Sequence, residues 1–228
     1  MPDAQGQTPA ANNFVTGFAG YPVWLNTYYP NYQLTDLKFT VPGFNNAMLT
    51  SAYLSAENPD LRGFAAHGGK LLLYHGWDDQ HISPQGTLKY WETLNEVMGE
   101  DLVTRFASFY LFPGMAHCGG GMGPNQFDIL TPLMSWVELG AKPNEIVASL
   151  FDTDNNLTRT RPVFPYPTVA RYLGAGSTDV AANFGAFMPK HEPNVSLSFI
   201  GNYLFAPGYP QEKCHAEGAK LVCVKYDY

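Results

Sequence analysis

Between residues 68 and 151, short continuous apolar runs alternate with stretches whose apolar residues recur at helical spacing. The stretch GGKLLLYHG, Gly68 to Gly76, is a continuous apolar run after a glycine turn, and it predicts a strand buried on both faces. The next stretch, SPQGTLKYWETLNEVMG, predicts a helix that Ser83 caps, with Pro84 at its first position and Gly99 at its end. Its apolar residues recur at helical spacing: Leu88, Trp91, Leu94, Val97 and Met98.

The same alternation then repeats. RFASFYLF, Arg105 to Phe112, predicts a second strand, and a glycine-rich loop follows it. A second helix is predicted to begin after Asn125 as its cap, with Asp128 three residues in, and to end at Gly140. EIVASLF, residues 145–151, predicts a last short strand, so the order is that of an α/β fold with a parallel sheet. The predicted apolar face of the second helix consists of Ile129, Leu130, Leu133, Met134 and Val137.

Composition and charge argue against some kinds of binding partner. The chain has 228 residues, of which 45% are hydrophobic and 14% charged, and this is typical of a globular protein with a sizeable core. The net charge is −7 without a basic cluster, so we expect no nucleic-acid partner. No apolar run approaches the roughly 20 residues that span a bilayer, so we expect no membrane partner. The polar start of the chain lacks the pattern of a signal peptide and indicates a tail, a linker or a cut edge.

The chain has three cysteines, so at least one of them cannot pair within the chain. Cys214 and Cys223 bracket a short loop near the C-terminus and are candidate partners for a disulfide. Cys118 is left over, which indicates either a free thiol or a partner on another chain. Two sequons, at Asn156 and Asn194, would accept glycans only in a secreted eukaryotic protein.

Candidate chemistry collects in two loops. The loop after the first predicted strand holds Asp78, Asp79 and His81, and the loop after the second strand, FPGMAHCGGG, holds His117. Loops at the carboxyl ends of adjacent parallel strands lie side by side. A carboxylate that orients a histidine, which in turn deprotonates a nucleophile, forms two thirds of a serine-hydrolase triad. The order acid then histidine is the order of the α/β-hydrolase fold.

These loops carry a resemblance to a known family. GGKLLLYHGWDDQHISPQGTLKYW and FPGMAHCGGGMGPNQFDILTPLMSWVELGAKP resemble the tannase and feruloyl esterase family, and RTRPVFPYPTVARYLGAGSTDVAANF resembles its C-terminal stretch. The likeness covers residues 55 to 185, roughly. It implies that Asp79, in the motif His75-Gly76-Trp77-Asp78-Asp79, is the catalytic acid and that His117 is the catalytic histidine.

The resemblance also implies a role for the cysteine beside His117. In the family, this cysteine forms a disulfide with a cysteine directly before the nucleophilic serine, so Cys118 is expected to bind such a partner. Trp77 and Ile82, next to the acid, are expected to line the substrate pocket. Catalysis is expected to need no cofactor, and the protein is expected to be secreted or periplasmic.

The sequence departs from the family in one large respect. It has no Gly-X-Ser-X-Gly elbow and no Cys-Ser pair, and Ser51, Ser55, Ser83 and Ser108 lie in ordinary settings. We therefore expect this chain to be the C-terminal part of an α/β-hydrolase, with the nucleophile in an N-terminal portion or on a separate chain, disulfide-linked to it. The lid, a structural calcium site and the oxyanion hole would belong to that portion.

The expected organisation has three segments. Residues 1–60 form an irregular segment, read as the tail of a lid domain. Residues 61–152 form the hydrolase core with the acid and histidine loops. Residues 153–228 form a proline-rich wrap over the surface, with the terminal disulfide loop.

Several alternatives remain open at this point. Asp78 rivals Asp79 as the acid, and His117 could be a loop histidine with a structural hydrogen bond. His75, Asp78, Asp79 and His81 could hold a metal, although four nearby positions on one loop seldom close a tetrahedral site without a remote ligand. Cys118 could be a buried thiol, and Trp77 and Ile82 could be ordinary packing residues.

Two functions follow for the chain. The first is a serine esterase that hydrolyses small aromatic esters of hydroxycinnamoyl or galloyl type, with a slight preference for the former, and that is inactive without the portion carrying the nucleophile. The alternative is a truncated homologue without activity that serves as a binding or scaffold module.

Overall fold

The structure is a computed structural model that describes Thr40, Ala56 and residues 58–117 and 119–190, together with the backbone of two strands at 212–217 and 220–225. The chain divides into two compact units, Met1–Ala56 and Glu57–Tyr228, and the described helices and strands belong to the second. The predicted irregular segment 1–60 therefore falls almost wholly outside the described residues. Within the described part of the chain, no helix has the length and apolar character that crossing a bilayer requires.

The described elements alternate between helix and strand in the first half and are mostly strands in the second. In chain order they are α1 (Arg62–Ala66), β1 (Leu71–Gly76), α2 (Pro84–Met98), α3 (Glu100–Phe106), β2 (Ala107–Phe112), α4 (Leu130–Leu139), β3 (Ile146–Phe151), β4 (Leu157–Val163), β5 (Val169–Tyr172), a 3₁₀ turn (Ala181–Asn183), β6 (Phe184–Phe187), β7 (Glu212–Glu217) and β8 (Lys220–Lys225).

The pair β1 and β2 confirms the predicted parallel arrangement. The two strands run parallel, with Leu71 opposite Ala107 and Gly76 opposite Phe112, so they end at the same edge. The helix α2 between them begins as predicted, because the Ser83 side chain accepts a hydrogen bond from the Gln85 N–H and proline occupies the first turn.

The segment before β2 differs from the prediction. The strand begins at Ala107 and not at Arg105, because Glu100–Phe106 forms a separate helix, α3. Two acidic residues lie in its first turn, where they favour a helix N-terminus, and it buries Val103 and Phe106 at helical spacing. A helix of this length has too few apolar repeats for the sequence pattern to separate it from the strand that follows.

Helix α4 corrects two further predictions. Asn125 does not cap it; the carboxylate of Asp128 accepts hydrogen bonds from the N–H groups of Leu130 and Thr131, both at 3.0 Å. Gly140 ends the helix in the left-handed region, as predicted. The predicted apolar face is largely exposed, and Trp136 is the buried residue of α4 because it packs beneath the ammonium groups of Lys70 and Lys142. The exposed fractions are 63% for Leu130, 48% for Met134 and 58% for Val137.

The strands after α4 are antiparallel. The predicted strand at 145–151 is confirmed as β3, but it pairs antiparallel with β4 and does not extend the parallel pair. A tight turn joins them, in which the Asp152 carboxylate accepts hydrogen bonds from the N–H groups of Asp154 and Asn156. Beyond residue 152 the sequence indicated irregular chain, whereas β4, β5 and β6 are ordered, with β5 and β6 forming a second antiparallel pair.

The core of the described region consists of two clusters. One lies beneath the strand ends and contains Tyr110, Phe112, Met115, Ile146, Ala148 and Val163. The other lies between the helices and β2 and contains Leu94, Met98, Val103, Phe106 and Ala107. Phe112 and Met115 flank the turn that begins the histidine loop, so burial of their side chains anchors that loop.

Gly76 lies where the acid loop and the histidine loop meet. A Cβ at this position would overlap the backbone carbonyl oxygens of Met115 and Ala116. Without it, the Trp77 N–H donates to the Phe112 carbonyl at 2.9 Å and the Asp78 N–H donates to the Met115 carbonyl at 3.1 Å. The glycine is therefore required by close backbone packing and not by an unusual dihedral angle.

Substituting Gly76 by alanine should destabilise the protein by about 1–3 kcal/mol, because the backbones must separate to admit the methyl group. The free energy of unfolding, from denaturant titration, measures this effect. Gly86→Ala is the matched control: Gly86 lies in α2 with no atom within 4 Å of its Cβ position, so alanine there should leave stability unchanged or raise it. Equal effects of the two substitutions would contradict the packing argument.

Candidate active site

The Asp79 carboxylate has a donor group at each of four hydrogen-bonding positions. Its Oδ1 accepts from the backbone N–H groups of His81 and Ile82, each at 2.8 Å. Its Oδ2 lies 2.9 Å from His117 Nδ1 and 3.2 Å from His75 Nε2. The side chain is only 5% exposed, so these contacts replace water around the charge.

The surroundings of Asp79 favour the ionised form. Burial raises the pKa of this carboxyl, but the hydrogen bonds from the backbone N–H of Ile82, from the His117 ring and from the backbone N–H of His81 outweigh it, and lower the pKa of Asp79 to about 2. The group therefore carries a negative charge at neutral pH.

The histidine loop presents His117 to this charge. Because Asp79 is an acceptor, His117 Nδ1 carries the hydrogen of their 2.9 Å hydrogen bond, and in the neutral ring Nε2 is then the basic nitrogen. The backbone N–H of His117 donates to the Gln80 side-chain oxygen at 3.3 Å. The ring also meets the His81 ring edge to face, with centroids 5.1 Å apart. The side chain is 27% exposed, so the oriented base can be reached from outside.

The histidine loop is held by its own backbone. The Ala116 N–H donates to the Gly120 carbonyl at 3.2 Å, and the Gly123 N–H donates to the Gly114 carbonyl at 2.8 Å. Gly121 has φ +91°, and a Cβ there would overlap the Gly114 carbonyl. Glycine is needed at this position, since the loop closes on itself at backbone distance.

The structure brings some of the sequence-predicted site residues together and leaves others apart. The carboxylate that meets His117 is that of Asp79, whereas its rival Asp78 is exposed. Trp77, 36% exposed, lines an apolar cavity of about 300 Å³ formed with Pro113 and the 162–170 segment. Ile82 is not among the lining residues of that cavity; its side chain is 46% exposed, and its backbone is what contacts the acid. Their substrate-binding roles remain predictions.

The cysteines are only partly described. Cys118 lies outside the described residues, so its expected disulfide remains a prediction. Cys214 and Cys223 are directly opposite each other in the antiparallel pair of β7 and β8. That register is compatible with the predicted terminal disulfide, for which the backbone alone is described.

A metal would compete with the hydrogen bonds of Asp79. Among the described residues, Asp79, His81 and His117 offer ligand atoms within 4.8 Å of one another, a different set from the one the sequence suggested. Both oxygens of Asp79 are already engaged by hydrogen-bond donors, and a metal would have to displace one of them. The arrangement therefore fits a carboxylate that orients a histidine better than it fits a metal centre.

Two residues of the site were missed by sequence reasoning. Gln80 accepts from the His117 backbone, and the Thr87 hydroxyl lies 2.7 Å from His75 Nδ1. Thr87 is in the first turns of α2, the helix that leaves the acid loop. A polar residue at the start of that helix is the signal that would have drawn attention to it.

Comparisons with known proteins give the family of this chain. The family described as "Tannase and feruloyl esterase" matches residues 2–187. The chain belongs to the tannase and feruloyl esterase family. The predicted resemblance is therefore confirmed, and it extends further towards the N-terminus than the motifs that first indicated it.

Similar proteins of this family include bacterial and fungal ester hydrolases. The chain is 42% identical over 139 residues to the mono(2-hydroxyethyl) terephthalate hydrolase of Piscinibacter sakaiensis, covering 59% of this chain and 22% of that protein. It is 38% identical to a probable feruloyl esterase of Arthroderma benhamiae over 57% of this chain and 26% of that protein. It is 37% identical to the tannase of Aspergillus oryzae over 42% of this chain and 18% of that protein.

Solved structures of the family have the same fold. An esterase from Aspergillus oryzae superimposes with a TM-score of 0.64 at 25% identity, over 82% of this chain and 44% of that chain. Feruloyl esterase B from Aspergillus oryzae gives a TM-score of 0.63 at 23% identity, over 82% and 43%. The fold is α/β-hydrolase-like, and the chain spans less than half of each structure and about a quarter of the bacterial and fungal relatives named above.

The depressed pKa of Asp79 predicts a pH-dependent contribution to stability. A carboxyl whose folded pKa lies below its unfolded value stabilises the fold above the unfolded pKa, near 4, and loses that contribution as the pH falls towards 2. We expect Asp79→Asn to lower the free energy of unfolding by about 2 kcal/mol near pH 7, and the difference to shrink as the pH falls from about 4 to 2.

Denaturant titrations over that pH range measure the difference. Asp78→Asn changes the adjacent exposed carboxylate and is the matched control. A stability gap for Asp79→Asn that stays constant across the range would contradict the account of its charge.

Proposed function

We propose that this chain supplies the acid and the base of a serine-hydrolase triad, in a carboxylic ester hydrolase that acts on small aromatic esters. The single observation that carries the proposal is the hydrogen bond between the buried Asp79 carboxylate and His117 Nδ1, at 2.9 Å. It holds the imidazole in the tautomer whose Nε2 can accept a proton.

The chemistry follows from that orientation. A serine hydroxyl attacks the ester carbonyl while His117 Nε2 takes its proton, and the ionised Asp79 stabilises the imidazolium. The tetrahedral intermediate collapses, His117 returns the proton to the leaving alcohol, and an acyl-enzyme remains. Water, deprotonated by His117, attacks this ester and releases the aromatic acid with the free serine.

The nucleophile is proposed to lie on polypeptide outside residues 1–228. The sequence has no Gly-X-Ser-X-Gly elbow, and the chain spans 22% of the terephthalate ester hydrolase that it resembles. Among the described strands, β1 pairs only with β2, so its other edge is available for a further strand. This is the place where the rest of an α/β-hydrolase sheet would join.

An exposed apolar stripe on α4 supports the same proposal. Leu130, Met134 and Val137 are at helical spacing, and each is at least 48% exposed. Large apolar side chains grouped on one helix face are typical of a surface covered by another part of the protein. We assign this face to the portion that carries the nucleophile.

The expected disulfide of Cys118 would join the two portions. A bridge to a cysteine directly before the serine would fix the histidine loop beside the nucleophile, and it requires an oxidising compartment, hence a secreted or periplasmic enzyme. We assign the structural calcium site that the family resemblance implies to the lid of that N-terminal portion.

The substrate class is proposed from the relatives. The names of the similar proteins share an aromatic acyl group: a terephthalate ester, feruloyl esters and tannin. Hydrolysis of such esters by the triad needs no redox cofactor. We place hydroxycinnamoyl esters before galloyl esters as the first substrates to assay.

Removing the base tests the proposal. In the complete enzyme, which joins this chain to the portion with the nucleophile, His117→Ala should lower kcat on an aryl ester by about 10⁴-fold or more, because triad members act as a unit. His67→Ala replaces an exposed histidine of α1's C-terminal turn and is the matched control, with kcat unchanged. Turnover of His117→Ala within tenfold of the wild type would refute the proposed role.

The bridge has its own test. Electrophoresis of the native protein without reductant should show this chain linked through Cys118, and Cys118→Ser should lower the melting temperature and kcat together, since a native disulfide typically contributes about 2–5 kcal/mol. Unchanged melting and rate would exclude the bridge. An unlinked chain without esterase activity in any preparation would favour the alternative, a scaffold module.

A further inference from the structure

His75 contacts the same Asp79 oxygen as His117 and also contacts helix α2. Its Nε2 faces two acceptors, Asp79 Oδ2 at 3.2 Å and the Ile82 carbonyl at 3.0 Å. Its Nδ1 lies 2.7 Å from the Thr87 hydroxyl on α2. The side chain is 11% exposed, so both nitrogens exchange hydrogen bonds with protein rather than with bulk water.

The chemistry of these partners fixes the tautomer. A carboxylate and a carbonyl can only accept, so Nε2 must carry a hydrogen. In the neutral ring, Nδ1 then has the lone pair and needs a donor, and the Thr87 hydroxyl supplies one. Without that hydroxyl, Nδ1 has no donor from α2, and the printed contacts hold the ring from its Nε2 side alone.

We infer that His75 is a positioning residue for the triad and that Thr87 acts through it, by holding the His75 ring in the orientation from which Nε2 donates to Asp79. The inference rests on the proposed function, because His75 and Thr87 would affect kcat through the Asp79–His117 contact. With the hydrogen on Nε2, His75 and His117 both donate to the same oxygen of Asp79. The carboxylate cannot rotate without breaking one of them.

A purely structural role for Thr87 makes a different prediction. If the hydroxyl only fills space or caps α2, its loss lowers stability and leaves turnover unchanged. If it holds the orientation of the His75 ring, its loss lowers kcat through a misplaced Asp79, while KM stays the same because neither residue is placed in the substrate site.

Valine and serine at position 87 separate these roles. Thr87→Val keeps the shape of the side chain and removes the hydroxyl; we expect kcat to fall about tenfold, the effect of losing one hydrogen bond, with KM unchanged. Thr87→Ser keeps the hydroxyl and should recover kcat to within about twofold. Thr93→Val is the matched control: Thr93 is a buried threonine on the same helix whose hydroxyl donates to the Lys89 carbonyl at 2.9 Å, and its loss should affect melting but not kcat.

A double-mutant cycle tests whether Thr87 acts through His75. Glutamine at position 75 can donate to Asp79 from its amide and has no ring nitrogen facing the hydroxyl. In a His75→Gln background, Thr87→Val should therefore change kcat by less than about twofold, whereas in the wild type it lowers kcat about tenfold. Additive effects would overturn the inference.

The outcomes distinguish this inference from the proposed function. All variants are assayed in the complete enzyme alongside His117→Ala. Activity that survives in His117→Ala overturns the proposed function. Loss of activity in His117→Ala, together with a Thr87→Val variant at wild-type kcat or a Thr87→Ser variant as slow as valine, overturns the role of Thr87 and His75 alone.

Discussion

The hydrogen bond between Asp79 and His117 is the contact on which the candidate site depends. The two residues are 38 positions apart in sequence, and they meet because β1 and β2 are parallel and end at the same edge. Gly76 lets the two following loops pack backbone against backbone at that edge. The Asp79–His117 contact therefore depends on the parallel direction of the two strands and on the absence of a side chain at Gly76.

The Asp79 carboxylate is ionised and held in place by the residues around it. Four donors surround Asp79, and three of them, the N–H groups of His81 and Ile82 and the His117 ring, keep it ionised although it is buried. His117 therefore faces a negative charge. Two of those donors are backbone groups of the acid loop. Another is the His75 ring, whose Nδ1 contacts the Thr87 hydroxyl on α2. The loop and the helix after it thus act together on the orientation of one imidazole.

Local signals predicted a good part of this arrangement from sequence. The strand Leu71–Gly76 and the helix Pro84–Met98 follow from an apolar run, a capping serine and a glycine, and the meeting of the acid and histidine loops followed from the parallel-strand rule. The partner of β3 could not be predicted, because strand direction depends on pairing with distant residues. The exposed face of α4 was misjudged because sequence periodicity does not say what covers a helix. The contact of Thr87 with His75 depends on side-chain geometry that no spacing rule encodes.

The central claim is that this chain provides base and acid to a serine that it does not itself contain. The most direct measurement is to treat the complete enzyme with an aryl phosphonate, which reacts with the activated nucleophile, and to locate the adduct by peptide mass spectrometry. The account predicts one adduct, on a serine outside residues 1–228, and its loss in His117→Ala. An adduct on any residue of this chain, or labelling that persists without His117, would contradict the account.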